Sequence, residues 1–99
     1  PFRLELLALL RAWFARFEQL DVTVSDVMTA AEDKIDSRAG PLMEALRTVA
    51  GDRGGTVNAR RLGHWLKRHA GRILDAKKFE RGGDRNGSAL WRVEKFNPQ

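Results

Sequence analysis

The sequence predicts a mainly α fold that ends in a small β-hairpin, and two observations support this prediction. Through most of the chain, apolar residues recur at intervals of three and four, which is the spacing of amphipathic helices. Near the C-terminus, Asp75–Arg81 and Ser88–Lys95 instead resemble short strands, and Gly82–Gly87 between them consists almost entirely of turn residues. A helix followed directly by such a hairpin is how a winged helix-turn-helix domain ends. We therefore predict an α+β domain of that type, with four helices and a C-terminal wing.

The helix before the hairpin is the most strongly patterned segment of the chain. Asn58 can cap it, because an asparagine side-chain oxygen accepts a backbone N–H of the first turn. Gly71 stands where a left-handed C-terminal cap would end it. One side is apolar and is formed by Leu62, Trp65, Leu66 and Ile73. The other side is basic and carries Arg60, Arg61, His64, Lys67, Arg68 and Arg72. We predict that this helix is the recognition helix of the domain.

The first predicted helix, Phe2–Gln19, has a broad apolar face that includes Trp13, Phe14 and Phe17. Such a face needs a partner on more than one side. We expect the helix to pack on the rest of the domain. Two alternatives remain open: the face mediates self-association, or the helix links the domain to another one upstream.

Shorter elements connect the first helix to the recognition helix. The β-branched segment Asp21–Ser25 can supply one strand, and Ser25 can cap a second helix over Asp26–Ile35. Pro41 can open the third helix, at the position where its missing N–H costs nothing, and Gly51 ends it. The glycine-containing loop that follows is longer than the minimal turn of a helix-turn-helix.

The composition excludes several kinds of site. The chain contains no cysteine, so it has no disulfide and no thiolate-bound zinc, and its two histidines are too few for a metal cage. We expect no cofactor and no metal. We find no catalytic motif and expect no enzymatic activity from this segment. There is no apolar run long enough to cross a membrane, and we expect a cytoplasmic protein. Because the chain opens on Pro1, we expect it to be part of a longer protein.

Positive charge is concentrated in the second half of the chain. Residues 1–50 contain 6 Lys or Arg against 8 Asp or Glu, a net charge of −2. Residues 51–99 contain 12 against 5, a net charge of +7, and this half includes the predicted recognition helix and wing. The electrostatic field of such a charge distribution attracts a polyanion and orients the domain toward it. The charge distribution therefore favours nucleic acid as the partner.

The segment 58–93 resembles the C-terminal region of phage or prophage DNA primases and primase–helicases. The matching elements are Leu62-Gly63-x-Trp65-Leu66, Gly71-Arg72-Ile73, Phe79-Glu80-Arg81 and Leu90-Trp91-Arg92-Val93. The first half of the chain matches only in general pattern. The resemblance implies a terminal module of a replication protein that binds DNA or a protein partner, with the catalytic machinery of the parent protein upstream.

The predicted DNA-contacting residues are Arg60, Arg61, His64, Lys67, Arg68 and Arg72 on the recognition helix and Arg81 and Arg85 beside the tip of the wing. Most of these would contact phosphates, and one or two could reach base edges. The simpler interpretation is a solvated basic surface without a partner. We expect Trp65 and Trp91 to be core residues, and we expect a neighbouring helix to approach Gly63 closely.

The predicted organisation has three parts: an N-terminal helix at 1–20, a winged-helix domain at 21–96 and a tail at 97–99. Duplex or forked DNA is the expected partner. The alternative is a protein-interaction or oligomerisation module that recruits a helicase or another replication protein.

Overall fold

The computed structural model describes residues 2–97. It contains four helices and one antiparallel hairpin, in agreement with the predicted α+β class. The helices are α1 (Phe2–Phe17), α2 (Val24–Ala31), α3 (Ala39–Ala50) and α4 (Ala59–His69), and the strands are β1 (Lys77–Arg85) and β2 (Ser88–Lys95). Within residues 2–97, no helix is both long and apolar enough to span a membrane.

The core lies where α1 packs against α3 and the inner face of the hairpin, and buried residues of α2 and α4 complete it. Six residues of α1 are buried there: Leu6, Leu9, Leu10, Ala12, Trp13 and Phe17. The ring of Trp13 meets that of Phe79 on β1 edge to face, with centroids 4.9 Å apart, which is a favourable aromatic geometry. Because Trp13 and Phe17 are buried inside the chain, they are unavailable for the self-association that was considered for this helix.

The start of α2 differs from the prediction. Thr23, rather than Ser25, is the N-cap: its hydroxyl accepts the N–H of Asp26 (3.1 Å), and the Asp26 carboxylate accepts the N–H of Thr23 (3.0 Å). This reciprocal pair is a capping box, which satisfies two otherwise free donors. The helix therefore begins at Val24, and the predicted strand Asp21–Ser25 shrinks to one residue. Val22 exchanges two backbone hydrogen bonds with Trp91 of β2, at 2.9 and 2.8 Å.

The end of α2 also corrects the prediction. The helix stops at Ala31, and the carboxylate of Asp33 accepts the backbone N–H groups of Ile35 (2.9 Å) and Asp36 (3.3 Å). An aspartate that bonds the backbone two residues ahead favours a turn over a helix. Ile35, the last residue of the predicted helix, therefore lies outside it and is 95% exposed.

The third helix begins two residues before the predicted start. Ala39 is its first residue, so Pro41 lies in the first turn, where backbone N–H groups have no partner within the helix. Gly51 is the C-terminal cap, as predicted. A bridge between Gly51 and Val57 and a hydrogen bond from the Asn58 N–H to the Ala50 carbonyl (2.9 Å) close the loop to α4.

The hairpin is longer than predicted, because Gly82–Arg85 belongs to β1 rather than to the turn. A bulge between Arg81 and Asp84 accommodates the extra residues. The turn consists of Asn86 and Gly87 alone, with φ values of +52° and +81°. Positive φ at both positions is the type I′ geometry, which matches the twist of a two-residue hairpin. Phe79, Trp91 and Val93 face the core, which confirms the prediction made for Trp91. Pro98 and Gln99 of the predicted tail lie outside the described residues.

Candidate nucleic-acid interface

The local sequence explains the position and the ends of α4. Asn58 accepts the backbone N–H of Arg61 at 3.0 Å, which confirms the predicted N-cap. The apolar stripe faces the core through Leu62, Trp65 and Leu66, all of which are buried. The helix ends at His69, before Ile73, which is 59% exposed and was wrongly placed in the stripe. Gly71 adopts a left-handed conformation (φ +86°) and donates its N–H to the Phe79 carbonyl, so the chain turns directly into the hairpin.

Four predicted site residues form what we call the basic face of α4: Arg60, His64, Lys67 and Arg68. All four are exposed, and their spacing places them on one side of the helix. None forms an ion pair with an acidic residue between Phe2 and Asn97. The positive charges of Arg60, Lys67 and Arg68 are therefore directed to solvent.

The other two predicted cations of this region are engaged within the chain. The guanidinium of Arg61 donates to the carbonyl of Gly51 (2.9 Å) and to the carboxylate of Asp52 (3.2 Å), which ties α4 to the preceding loop. The guanidinium of Arg72 lies over the ring of Phe2, 4.6 Å from its centroid. Arg61 and Arg72 thus have structural contacts that the sequence pattern did not indicate.

The two arginines of the hairpin that are predicted to contact DNA are each paired with a carboxylate. Arg81 binds Asp84 at 2.5 Å, and Arg85 binds Asp26 on α2. The side chains of both arginines remain about half exposed. Exposed ion pairs contribute only about 0 to 1 kcal/mol, so such a pair can be exchanged for a phosphate. The i, i+3 spacing of Arg81 and Asp84 was visible in the sequence, whereas the Arg85–Asp26 pair joins distant segments.

The outer surface of the hairpin has little free charge. Arg92 binds Glu80 (2.9 Å) and Asp21 (3.3 Å), and Lys78 lies 3.6 Å from Glu80. The carboxyl groups of Glu80 and Glu94 lie near the same Arg92 guanidinium, and the interaction between them raises the pKa of Glu94 and lowers the pKa of Glu80. Of these two elements, α4 therefore presents more positive charge without an acidic partner than the hairpin does.

A groove of about 700 Å³ runs beside the basic face, between α2, α4 and β2. Met28, Ala89 and Trp91 contribute to its apolar surface, and Arg60 and Lys67 line it on the α4 side. Gly63 also lines it, and a Cβ atom at this position would meet nothing within 4 Å. The prediction that a neighbouring helix approaches Gly63 closely is therefore wrong. Sequence reasoning missed the groove, because it depends on how α2 lies relative to α4.

Two further features restrict the chemistry of this surface. The indole rings of Trp13, Trp65 and Trp91 are all buried, so none of them offers a face for stacking. Between Phe2 and Asn97 there is no group of three or more His, Cys, Asp or Glu residues that could hold a metal ion. What the surface presents is cationic side chains and an apolar groove.

Comparisons of the chain with protein-family models, with curated proteins and with solved structures found no match.

Proposed function

We propose that this chain is a DNA-binding module of the winged-helix type that docks duplex DNA through the basic face of α4. The observation that carries the proposal is the set Arg60, His64, Lys67 and Arg68: four exposed side chains on one helix side, without acidic partners among residues 2–97. The major groove of DNA is wide enough to admit an α-helix, and lysine and arginine on such a helix contact phosphates and base edges.

The buried tryptophans favour a double-stranded ligand. Proteins that bind single strands combine a basic groove with aromatic side chains on which bases stack. Here Trp65 and Trp91, the indoles nearest the basic face, are 8% and 2% exposed. The exposed groups are instead cations on the convex surface of a helix. Such a surface fits the groove of a duplex, and it offers no ring on which an unpaired base could stack.

The hairpin supports the winged-helix part of the proposal. It follows α4 immediately, and its strand β2 pairs through Trp91 with Val22, so a one-residue strand after α1 completes the small sheet. We infer that Arg81 and Arg85 exchange their carboxylate partners for phosphates when DNA binds. Both pairs are exposed, so this exchange costs little.

The resemblance of residues 58–93 to phage-type primases supports a narrower proposal. In this proposal the module belongs to a replication protein and delivers upstream catalytic machinery to DNA, while the segment itself acts by binding. Residues 21–96 then form the winged-helix domain, and α1 packs on it through Leu6, Leu9 and Leu10.

Fluorescence anisotropy tests the proposal, with labelled duplex, forked and single-stranded oligonucleotides of one sequence at two ionic strengths. We expect duplex and forked DNA to bind more tightly than the single strand. We also expect affinity to fall steeply with salt, because each neutralised phosphate releases condensed counterions. Absence of binding to every oligonucleotide at low salt would overturn the proposal, and a preference for the single strand would overturn its duplex part.

A further inference from the structure

The groove between α2, α4 and β2 has an apolar surface beside a basic rim. Met28 and Ala89 contribute apolar surface, and the rim on the α4 side is formed by Arg60 and Lys67. Neither rim cation has an ion-pair partner among residues 2–97. An occupant that fits this groove therefore combines an apolar side chain with carboxylates.

Gly63 keeps the α4 side of the groove open. A glycine inside a helix is less favourable than alanine, because it loses more backbone freedom on folding. Packing within the chain does not require it, since an added Cβ atom would meet nothing within 4 Å. The missing side chain leaves space in the groove wall, where another group can approach the helix backbone.

The loop after α2 presents a group of the complementary kind. Ile35 is 95% exposed, yet the loop that carries it is anchored on both sides. Asp33 accepts the N–H of Ile35 at 2.9 Å, and Asp36 binds Arg38 at 2.7 Å and Arg16 at 3.4 Å. The isoleucine is thus held in solvent by defined contacts.

Carboxylates precede this isoleucine. Glu32 and Asp33 form no ion pair with any cation between Phe2 and Asn97. One molecule therefore carries both an exposed isoleucine with unpaired acids and an apolar groove with unpaired cations. Since Ile35 is almost fully exposed, it does not occupy the groove of its own chain.

We propose that the groove receives the Ile35 loop of a second copy of this chain. Glu32 lines the groove and lies three residues before Ile35, so the loop and the groove are neighbours on one surface. Two copies related by a two-fold axis can then exchange loops reciprocally, with each isoleucine in the groove of the other copy. Glu32 lines the groove of its own chain, so the carboxylate that approaches Arg60 and Lys67 of the other copy is that of Asp33.

The dimer is weak and depends on concentration, because two loop-in-groove contacts form a small interface. The proposal of a dimer does not depend on the proposed DNA binding. The two are mutually exclusive, however, because Arg60 and Lys67 serve both surfaces. Duplex DNA that binds the basic face of α4 therefore dissociates the dimer.

Sedimentation velocity of the intact chain, from about 10 µM to about 1 mM, tests the proposal over the range in which weak dimers populate. We expect the weight-average mass of the wild type to rise toward that of a dimer. Ile35→Asp and Gly63→Leu should remain monomers at every concentration. Ile73→Asp, the same change at another exposed isoleucine, should associate like the wild type. Thermal melts establish that the variants fold.

A mixing experiment separates this interface from any other dimer. Ile35→Asp retains an open groove, and Gly63→Leu retains the isoleucine, so an equimolar mixture restores one of the two loop-in-groove contacts. We expect the mixture to associate more than either variant alone. A monomeric wild type at the highest concentration, or association of Ile35→Asp or Gly63→Leu equal to that of the wild type, would each overturn the proposal.

Discussion

Arg85, at the tip of the hairpin, donates a hydrogen bond to the same Asp26 oxygen that accepts the backbone N–H of Thr23. One carboxylate oxygen thus completes the cap of α2 and holds the hairpin tip, although 59 residues separate the arginine from the aspartate. The Thr23 N–H, and to a smaller extent the Arg85 guanidinium, lower the pKa of Asp26, so it stays ionised near neutral pH. In the DNA complex that we propose, this carboxylate competes with phosphate for Arg85.

Replacement of Asp26 by asparagine is therefore expected to strengthen DNA binding. Asp26→Asn removes a negative charge beside the proposed interface and releases Arg85 for a phosphate, so affinity for duplex DNA should rise by a factor of about 3 to 10, equivalent to one added phosphate contact. Anisotropy titrations at low salt measure this change. The same variant should lose about 0.5 to 1 kcal/mol of folding stability through the weakened cap. Unchanged or reduced affinity would show that Arg85 takes no part in binding.

Removal of the Thr23 hydroxyl is expected to destabilise the fold, whereas removal of the Ser25 hydroxyl is not. Thr23→Ala deletes the oxygen that accepts the Asp26 N–H, and loss of such a cap costs about 1 kcal/mol. Ser25→Ala changes an exposed side chain of the first turn and serves as the matched control. Urea denaturation measures both. Equal stabilities of the two variants would contradict the assignment of the cap.

His69 is expected to make stability fall as the solution becomes acidic. Its ring is buried, stacks on Phe2 with centroids 5.2 Å apart and lies 4.4 Å from the Trp65 ring. Burial, and then the charges of Arg72 and Arg68, lower the pKa of His69, while Glu5 of α1 acts in the opposite direction. The unfolded state therefore binds a proton more readily than the folded state. The resulting loss of stability begins as pH falls below the ordinary histidine pKa of 6.5.

Urea unfolding at pH 8 and pH 5.5 tests this dependence. The wild type should be less stable at pH 5.5, and His69→Phe should lose less stability over the same interval, because phenylalanine preserves the ring contacts and cannot be protonated. His64→Gln serves as the control and should follow the wild type, because it leaves the buried imidazole in place. A pH response of His69→Phe equal to that of the wild type would assign the effect to other groups.

Features set by neighbouring residues were predictable from the sequence, and those set by distant contacts were not. The Asn58 cap and the burial of Leu62, Trp65 and Leu66 follow from local spacing, and the structure agrees, whereas Ile73 lies beyond the end of the helix. The cap of α2 was misassigned, although the Thr23 and Asp26 spacing of a capping box was present in the sequence. Ile35 followed the helical pattern, but the turn formed by Asp33 interrupts the helix before it.

In the candidate site, too, features set by neighbouring residues could be predicted and features set by distant contacts could not. The exposure of the basic face of α4 could be predicted, because an amphipathic helix directs its polar side to solvent. The pairing of Arg85 with Asp26 could not, because it depends on where the hairpin tip meets α2. The glycines at 82 and 83 favoured a turn, yet they lie in β1, where an added Cβ atom at Gly82 would come within 2.7 Å of the Asp21 carboxylate.

The salt dependence of duplex binding tests the central claim most directly, in a comparison of two triple variants with equal net charge. One replaces Arg60, Lys67 and Arg68 by glutamine, and the other replaces Arg3, Lys34 and Arg53, which are also exposed. If α4 contacts the phosphates, the first variant should bind weakly and its slope of log affinity against log salt should shrink by about 2 to 3. The second should retain the wild-type slope. Equal slopes for the two variants would contradict the proposal that the basic face of α4 binds DNA.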